Sequence, residues 1–265
     1  MDLPVELHQT VQAPDKLDGL RVVLVSPRNP LNIGAAARAM SNFGVATLRL
    51  VNPYEVAFRE ARSAVGAEEL LARAEVFSTV AEAVADCALV VGTTAPMRRA
   101  PQHPLHPLDK AAALIRPALQ AGAIALLFGS EKRGLTNEDL AHCHWLLYIP
   151  TAQQQPSMNL AQAVAVCLYE LTRGVEATSQ SRDTGYAAVS VARSSPASAA
   201  ELERLTTVLL EALDASGYTL PEQGALTEQS ARRLVRRLAL QSEDAESLLG
   251  MLRQILWKLR TGRKS

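Results

Sequence analysis

Short apolar runs alternate with helical patterns from residue 21 onward, and this alternation constrains the fold more than any other feature of the chain. The runs are RVVLVS, ATLRLVN, ALVVGTT, AIALLFGS and WLLYIP. Apolar residues recur at helical spacing in the segments 33–43, 67–74, 108–121 and 160–171. Strands that alternate with helices are typical of a parallel sheet covered by helices. The sequence therefore predicts an α/β domain of about 170 residues.

A second, helical unit is predicted near the C-terminus. Residues 174–199 are rich in Ser, Ala, Thr and Gly without a sustained period, which is typical of a linker. Leucines then recur at helical spacing, and Thr227 and Ser242 can cap the last two helices because each is followed directly by Glu. We therefore predict an α/β domain at 1–173, a linker at 174–199 and a small all-α C-terminal domain at 200–265.

Charge and cysteine content narrow the function classes. The 265 residues carry 27 basic and 27 acidic side chains, so no global field indicates a nucleic-acid partner. From Arg232 to Lys264, however, nine basic residues stand against three acidic ones, a local net charge of +6. Three cysteines without C-x-x-C spacing predict neither disulfides nor a zinc site. Because the acidic N-terminus is unlike a signal peptide and no apolar run approaches the roughly 18 residues of a membrane helix, we expect a cytoplasmic protein without membrane contact.

Polar segments at predicted strand ends are the candidates for chemistry. The first, SPRNPLNIGAAARAM, places Asn32 and Arg38 around a helix start. Asn32 can either cap this helix or contact a ligand. Arg38 lies one to two turns into the helix, among alanines, so we expect its guanidinium to project toward the carboxyl edge of the sheet, where open α/β sheets bind ligands.

The second segment, FGSEKRGLTNEDL, follows a strand and precedes a helix. Gly129 and Gly134 have the spacing of a Walker A loop, but Leu135 stands where that loop requires lysine, so a phosphate loop and a nucleotide hydrolase are excluded. The chain also lacks G-x-G-x-x-G, which argues against a dinucleotide fold. Glu131 in this turn is either a solvated charge or a functional group.

In the third segment, YIPTAQQQPSMNLAQAVAV, a strand ends, a Gln-rich loop follows and a helix begins near Asn159. Ser157 or Asn159 can cap that helix, but capping explains only one of the two.

Together the three segments resemble the SPOUT superfamily of RNA methyltransferases. Members of its 2′-O-methyltransferase branch share N-x-G-x-x-x-R, G-x-E-x-x-G-L and S-x-N-L-A, which here are residues 32–38, 129–135 and 157–161. The resemblance covers residues 20–172. It implies a SPOUT-type parallel sheet with a C-terminal trefoil knot, a pocket for S-adenosyl-L-methionine and a homodimer through this domain. Periodicity could not have indicated the knot, because knots are rare exceptions to the usual topology rules.

Position by position, the resemblance implies two sets of site residues. The cofactor pocket is expected to be lined, largely through backbone groups, by Thr93, Thr94, Ala95, Gly129, Ile149, Pro156, Ser157 and Met158. The catalytic set is Arg38, Asn32, Glu131, Ser157, Asn159 and Arg98. The resemblance implies that Arg38 is the general base. Because arginine stays protonated, we expect it instead to stabilise the developing alkoxide and to bind the adjacent phosphate.

The basic tail resembles the C-terminal extension of TrmJ-type members of the superfamily, which methylate ribose on the 5′ side of the tRNA anticodon loop. This implies a tRNA (cytidine/uridine-2′-O-)-methyltransferase whose RNA phosphates contact Arg232, Arg233, Arg236 and Arg237, although a solvated helix face is the alternative for these arginines. The alternative functions are methylation of another tRNA or rRNA site and a non-catalytic RNA-binding scaffold. His142 and His144 flank Cys143 without further ligands, so no metal is predicted.

Overall fold

The computed structural model describes residues 17–56, 58, 66–95, 102–152, 154–173, 195–219 and 224–262. Seven strands form one sheet in the order β3-β2-β1-β6-β4-β7-β5, and every neighbouring pair is parallel. The strands are β1 (Leu20–Val25), β2 (Thr47–Val51), β3 (Glu75–Phe77), β4 (Leu89–Thr93), β5 (Leu105–Pro107), β6 (Ile124–Phe128) and β7 (Trp145–Tyr148).

The helices of the described residues are α1 (Pro30–Asn42), α2 (Glu68–Ala72), α3 (Val80–Ala83), α4 (Leu108–Ala118), α5 (Asn137–Ala141), α6 (Leu160–Arg173), α7 (Ala199–Ser216), α8 (Gly224–Arg237) and α9 (Ser242–Gly262). The predicted α/β class and the C-terminal helices are confirmed. Each of the five predicted apolar runs coincides with a strand, although β1 begins one residue before its run. The short strands β3 and β5 were not predicted. The trefoil knot stays a prediction.

Side chains of the sheet alternate between two apolar layers. In β1, Val22 and Leu24 belong to the layer formed with α1, α4 and α6, whereas Val23 and Val25 belong to the layer that includes α3 and α5. All four are buried, as expected for a central parallel strand covered on both faces. Because all strands are parallel, their carboxyl ends lie at the same rim of the sheet, and the loops that follow the central strands meet there.

The C-terminal helices pack against the sheet domain. Ser198 and Glu201 form a capping box at the start of α7. The first amides of this helix, from Ala199 and Ala200, donate to the carbonyl oxygens of Cys87 and Ala85 at 2.8 and 3.0 Å. Of the predicted linker 174–199, only residues 195–199 lie in the described part. Ser195 and Ala197 hydrogen-bond to Ser242 and Leu240, between α8 and α9, and Ser198 and Ala199 form the start of α7.

The predicted cap at Thr227 was wrong, because α8 begins at Gly224 and Thr227 lies inside it. The predicted cap at Ser242 also lies inside its helix, because α9 begins at Ser242 and the hydroxyl of this residue donates to Glu201 at 3.3 Å. Helices α7, α8 and α9 enclose a small core of their own around Leu202, Leu205 and Val235. Within the described residues, no helix combines the length and hydrophobicity needed to span a bilayer.

Candidate active site

A pocket opens at the carboxyl ends of β4, β6 and β7, which are adjacent in the sheet. The loops that follow these three strands supply its walls, in agreement with the general position of ligand sites in open α/β sheets. The lining comprises Thr93, Thr94, Ala95, Phe128, Gly129, Ser130, Glu131, Lys132, Arg133, Gly134, Leu135, Leu147, Ile149, Thr151, Pro156, Ser157, Met158, Leu160 and Ala163.

The loop after β6 is a tight turn that only glycine permits at its start. A β-carbon on Gly129 would lie 2.0 Å from the carbonyl carbon of Gly134 and 2.1 Å from the amide nitrogen of Leu135. Gly134 itself has a φ of +68°, and its amide donates to the Ser130 carbonyl at 2.8 Å. Leu135, at the position where a phosphate loop carries lysine, is buried in the core. The motif therefore shapes a backbone wall of the pocket.

All eight residues predicted for the cofactor lie in this one pocket lining. Sequence reasoning missed Thr151, whose hydroxyl oxygen is buried and has no hydrogen-bond partner among the described residues. A buried hydroxyl in a ligand pocket is costly unless it is paired, so this atom suits a polar group of a bound molecule. Lys132 and Arg133 also line the pocket and were not predicted.

A hydrogen-bonded chain of side chains borders the pocket and joins the three sequence motifs. The Asn32 amide nitrogen donates to Glu131 Oε1 at 3.0 Å, and the Asn32 amide oxygen accepts from Asn159 Nδ2 at 2.9 Å. The Asn159 oxygen accepts from the backbone amide of Ala161 at 2.9 Å, which caps α6. Glu131 also accepts from the backbone amides of Arg28 and Asn29 at 3.2 and 3.1 Å.

This chain fixes the charge of Glu131. Partial burial by itself raises the pKa of its carboxyl group, but the hydrogen bonds from the Asn32 side chain and from the amides of Asn29 and Arg28 outweigh it and hold the pKa below its usual value. Glu131 is therefore a carboxylate that accepts three hydrogen bonds, which connect it to the Asn32 side chain and to the backbone just before α1.

The capping alternative for Asn32 is excluded, because Asn29 is the cap of α1 and its side chain accepts from the Leu31 amide. Pro30 occupies the first helical position, where a missing N–H has no cost. Asn159 does cap its helix, and its second amide group still reaches Asn32. Asn159 thus combines the two alternatives that the sequence left open.

The other predicted catalytic residues occupy three different settings. Arg38 is exposed on α1 and does not contribute to the pocket lining of its own chain. Its guanidinium carbon lies 4.0 Å from the position that a β-carbon on Gly66 would take. Ser157 is exposed in the pocket lining. Arg98 lies outside the described residues.

The four arginines predicted to bind RNA divide into two pairs. Arg232 and Arg236 are 7% and 1% exposed and face Glu203 of α7. Arg233 is half-buried and Arg237 is exposed. Arg232 and Arg236 are buried and already pair with Glu203. Of the four predicted RNA-binding arginines, only Arg233 and Arg237 therefore remain candidates for a contact with RNA. Among the described residues, no group of three or more His, Cys, Asp or Glu is arranged to hold a metal ion.

Comparison with known proteins places this geometry in a family. Residues 19–169 match the model of the SpoU rRNA Methylase family. The chain is 37% identical over 240 residues to tRNA (cytidine/uridine-2′-O-)-methyltransferase TrmJ of Sodalis glossinidius, covering 90% of this chain and 92% of that protein. It is also 37% identical over 240 residues to tRNA (cytidine/uridine/adenosine-2′-O-)-methyltransferase TrmJ of Pseudomonas aeruginosa, covering 89% and 93%.

A solved structure shares most of the architecture. The crystal structure of TrmJ from Z. mobilis superimposes with a TM-score of 0.74 at 35% identity, covering 89% of this chain and 98% of that one. The match extends well beyond the sheet domain, and the resemblance inferred from the three motifs is confirmed. The chain therefore belongs to the SpoU methylase family and, within it, to the group of enzymes named TrmJ.

Proposed function

We propose that this chain transfers a methyl group from S-adenosyl-L-methionine to the ribose 2′-hydroxyl of a cytidine or uridine in tRNA. One observation carries the proposal: the pocket and the Asn32–Glu131–Asn159 chain bring all three motifs to the same rim of the sheet. The TrmJ enzymes that the chain resembles over about nine tenths of its length are named for this reaction.

The pocket suits the proposed cofactor. Backbone groups of the loops after β4 and β7 can pair with the edge of an adenine. The Thr151 hydroxyl, which has no partner among the described residues, offers a further polar contact. Absence of a side chain at Gly129 keeps the intervening loop closed upon itself. Bound there, S-adenosyl-L-methionine supplies an electrophilic methyl group on its sulfonium sulfur.

The residues of the chain then have two tasks, which are to position the ribose and to stabilise the charge that develops as its hydroxyl loses a proton. Positioning alone can lower a barrier by roughly 7–11 kcal/mol. The fixed amide of Asn32 and the exposed hydroxyl of Ser157 serve the first task in this proposal. Arg38 serves the second, as a permanent cation for the developing alkoxide and the adjacent phosphate.

The proposal includes a homodimer through the sheet domain. Helices α1, α4 and α6 cover the same face of the sheet, and each carries a large exposed apolar residue: Leu31 is 78% exposed, Leu114 is 47% exposed and Tyr169 is 54% exposed. Light scattering after gel filtration tests this state. The Tyr169→Arg variant is expected to lower the measured mass toward that of a single chain. If the parent protein itself has the mass of a single chain, the dimer is excluded.

The proposed target is the anticodon loop, and Arg233 and Arg237 of α8 are the proposed phosphate contacts. Their side chains are not occupied by Glu203, unlike those of Arg232 and Arg236. A tRNA substrate also implies that the enzyme acts in the cytoplasm.

A methyl-transfer assay tests the proposal directly. The purified protein is incubated with cofactor labelled in the methyl group and with unmodified tRNA transcripts, and the product is digested and analysed for 2′-O-methylated nucleosides. A transcript with a 2′-deoxy residue at the labelled nucleotide is the matched control and should accept no label. Transfer only to ribosomal RNA would place the target elsewhere, and tRNA binding without transfer would indicate a non-catalytic scaffold.

A further inference from the structure

A largely buried cluster of charged side chains joins α7 to α8 where these helices meet the sheet domain. Glu203 of α7 accepts hydrogen bonds from Arg232 Nη2 at 2.8 Å and from Arg232 Nε at 3.1 Å. Its other oxygen lies 3.4 Å from Arg236 Nη2 and 3.8 Å from His142 Nδ1. One carboxylate of α7 thus contacts two arginines of α8 and a histidine at the end of α5. We call these four residues the Glu203 cluster.

The cluster depends on its single carboxylate. Arg236 is 1% exposed, and its Nε and Nη1 atoms have no hydrogen-bond partner among the described residues. Burial lowers the pKa of Arg236 to about 10, although the charge of Glu203 opposes that shift. Removal of Glu203 would leave two buried cations without their shared anion, a change that is strongly unfavourable inside a protein. The polar contact between α7 and α8 therefore depends on an ionised Glu203, although Arg232 also pairs with Glu228 at 2.9 Å.

On the sheet side, the cluster lies one short helix away from the pocket. His142 is the C-cap of α5, and α5 begins directly after the loop 129–135 that walls the pocket. Thr136, the cap of α5, is the next residue of that loop. A helix of five residues therefore connects the pocket wall to the contact with Glu203.

The turns of α8 that carry the two buried arginines also carry Arg233 and Arg237. Each of these follows one of the buried arginines directly in the sequence. In the part of the chain that the structure describes, neither takes part in an ion pair, and Arg233 donates only to the Ser230 hydroxyl. Like charges four residues apart on a helix repel each other, so an anion between them would be stabilised.

The positive charges of this arginine pair also affect a residue of the sheet domain. Burial and the positive charges of Arg233 and Arg237 lower the pKa of His103, in the segment between β4 and β5, to about 4. His103 is itself buried, and its Nε2 atom has no partner among the described residues. The charges of Arg233 and Arg237 are thus close to His103, two residues before β5 of the sheet domain.

We propose that Glu203 is a positioning residue for RNA. By binding Arg232 and Arg236 it fixes α8 against α7, whose first amides are anchored on the sheet domain. Arg233 and Arg237 then hold an RNA phosphate at a set distance from the methyl-transfer pocket. The inference rests on the proposed function, because the RNA bound at this site is the proposed tRNA substrate.

The test uses the sign of the effect. Glu203→Gln removes a negative charge, so a purely global electrostatic effect would strengthen RNA binding. The proposal predicts the opposite, namely that the KM for tRNA rises about tenfold, which lies within the usual range of coupling between two sites in a protein. The cofactor Kd should stay within about twofold. Glu228→Gln is the matched control, because it removes an exposed carboxylate that pairs with the same Arg232. It should leave the KM for tRNA unchanged or slightly lower.

Salt dependence provides the second measurement. The double variant Arg233→Gln/Arg237→Gln should reduce the slope of log affinity against log salt by about 2, one for each phosphate contact. Glu203→Gln should reduce the slope by a similar amount, and combining all three changes should cause no further loss. Circular dichroism at the assay temperature checks that each variant is folded. If Glu203→Gln does not fold, Glu203→Asp keeps the charge on a shorter side chain and should give an intermediate KM.

The outcomes separate the two proposals. An unchanged or tighter tRNA affinity in folded Glu203→Gln, or a loss that adds fully to that of the arginine double variant, overturns the positioning role. If the parent protein transfers no methyl group, the proposed function fails. The binding comparison, measured by filter retention of tRNA, still decides whether Glu203 acts through Arg233 and Arg237.

Discussion

Asn159 Nδ2 donates to Asn32 Oδ1 across 2.9 Å, although the two residues are 127 positions apart in the chain. The direction of this bond is fixed from both ends. The Asn159 oxygen is used by the first turn of α6, and the Asn32 nitrogen is used by Glu131. Neither amide can rotate without losing a second hydrogen bond, so the pair holds α1 and α6 in one register beside the pocket.

Replacing Asn32 by Asp should break this chain. The donor to Glu131 is lost, and two carboxylate oxygens face each other at a distance that is now a 3.0 Å hydrogen bond. We expect the free energy of unfolding to fall by about 1–3 kcal/mol and turnover to fall with it. Urea titration measures the first and the methyl-transfer assay the second. Asn29→Asp, the same chemical change at the cap of α1, keeps an oxygen acceptor for the Leu31 amide. Equal destabilisation by both variants would contradict the assigned role of Asn32.

Gly129→Ala should abolish cofactor binding, because the new methyl group would overlap the backbone of Gly134 and Leu135 and open the loop. Calorimetric titration with S-adenosyl-L-methionine is expected to show a Kd that is at least a hundredfold higher. This corresponds to a loss of about 2.7 kcal/mol of binding free energy. Gly250→Ala in α9 is the control, since among the described residues no atom beyond the adjoining backbone of α9 lies within 4 Å of the added carbon. It should stabilise the protein by about 0.5–1 kcal/mol. Normal cofactor affinity in Gly129→Ala would show that the loop is not part of the site.

Arg38→Ala should remove turnover and spare the cofactor, since Arg38 does not line the pocket of its own chain. Loss of one group that stabilises developing charge typically lowers kcat by about 10²–10³-fold. The cofactor Kd, measured by calorimetry, should change less than twofold. Arg38→Lys keeps the charge without the planar fork and should recover part of the rate. Weak cofactor binding in Arg38→Ala would instead assign Arg38 to the pocket.

Protein stability should decrease as the pH falls from about 6.5 toward 4. Burial, followed by the charge of Arg232, lowers the pKa of His142 to about 4, and burial and Arg236 lower that of His144 to about 3. The unfolded chain, with histidine pKa values near 6.5, therefore binds more protons than the folded protein in this window. Stability is full above 6.5 and is lost as pH falls through it, by up to about 1.4 kcal/mol per pH unit for each such histidine.

Urea titrations between pH 7.5 and 5 measure this slope. Carboxyl groups with lowered pKa values, such as that of Glu131, add their own loss only below about 4.5. His142→Gln should flatten the profile, while a stability that is independent of pH from 7.5 to 5 would show that these histidines are accessible to protons in the folded state.

The sequence predicts the central strands because each is long enough to display a pattern. β1 has six residues that are nearly all apolar, as a strand buried on both faces requires. β3 and β5 have three residues each and lie at the edges of the sheet, so neither is long enough to give a signal. The position of the pocket could be predicted from the motifs at the strand ends. Thr151 lies in a polar loop outside these motifs, so no pattern in the sequence marked it as a pocket residue.

The roles of the four arginines of α8 could not be separated by sequence. Arg232 and Arg233 are adjacent, as are Arg236 and Arg237, and in the sequence the four form a single basic segment. Their burial depends on Glu203, which lies 29 positions before Arg232 and belongs to another helix. Only the packing of α7 and α8 on α5 decides which member of each pair turns inward.

The position of β6 between β1 and β4 also determines when this sheet can assemble during synthesis. The strands β1, β2 and β3 can pair among themselves, but they acquire their link to β4 only after residues 124–128 have left the ribosome, when roughly half of the chain has been made. Until then β1 and β4 both present unpaired edges, which are templates for pairing with other chains. The interval before β6 emerges is therefore the period in which a nascent copy of this protein most needs protection from its neighbours.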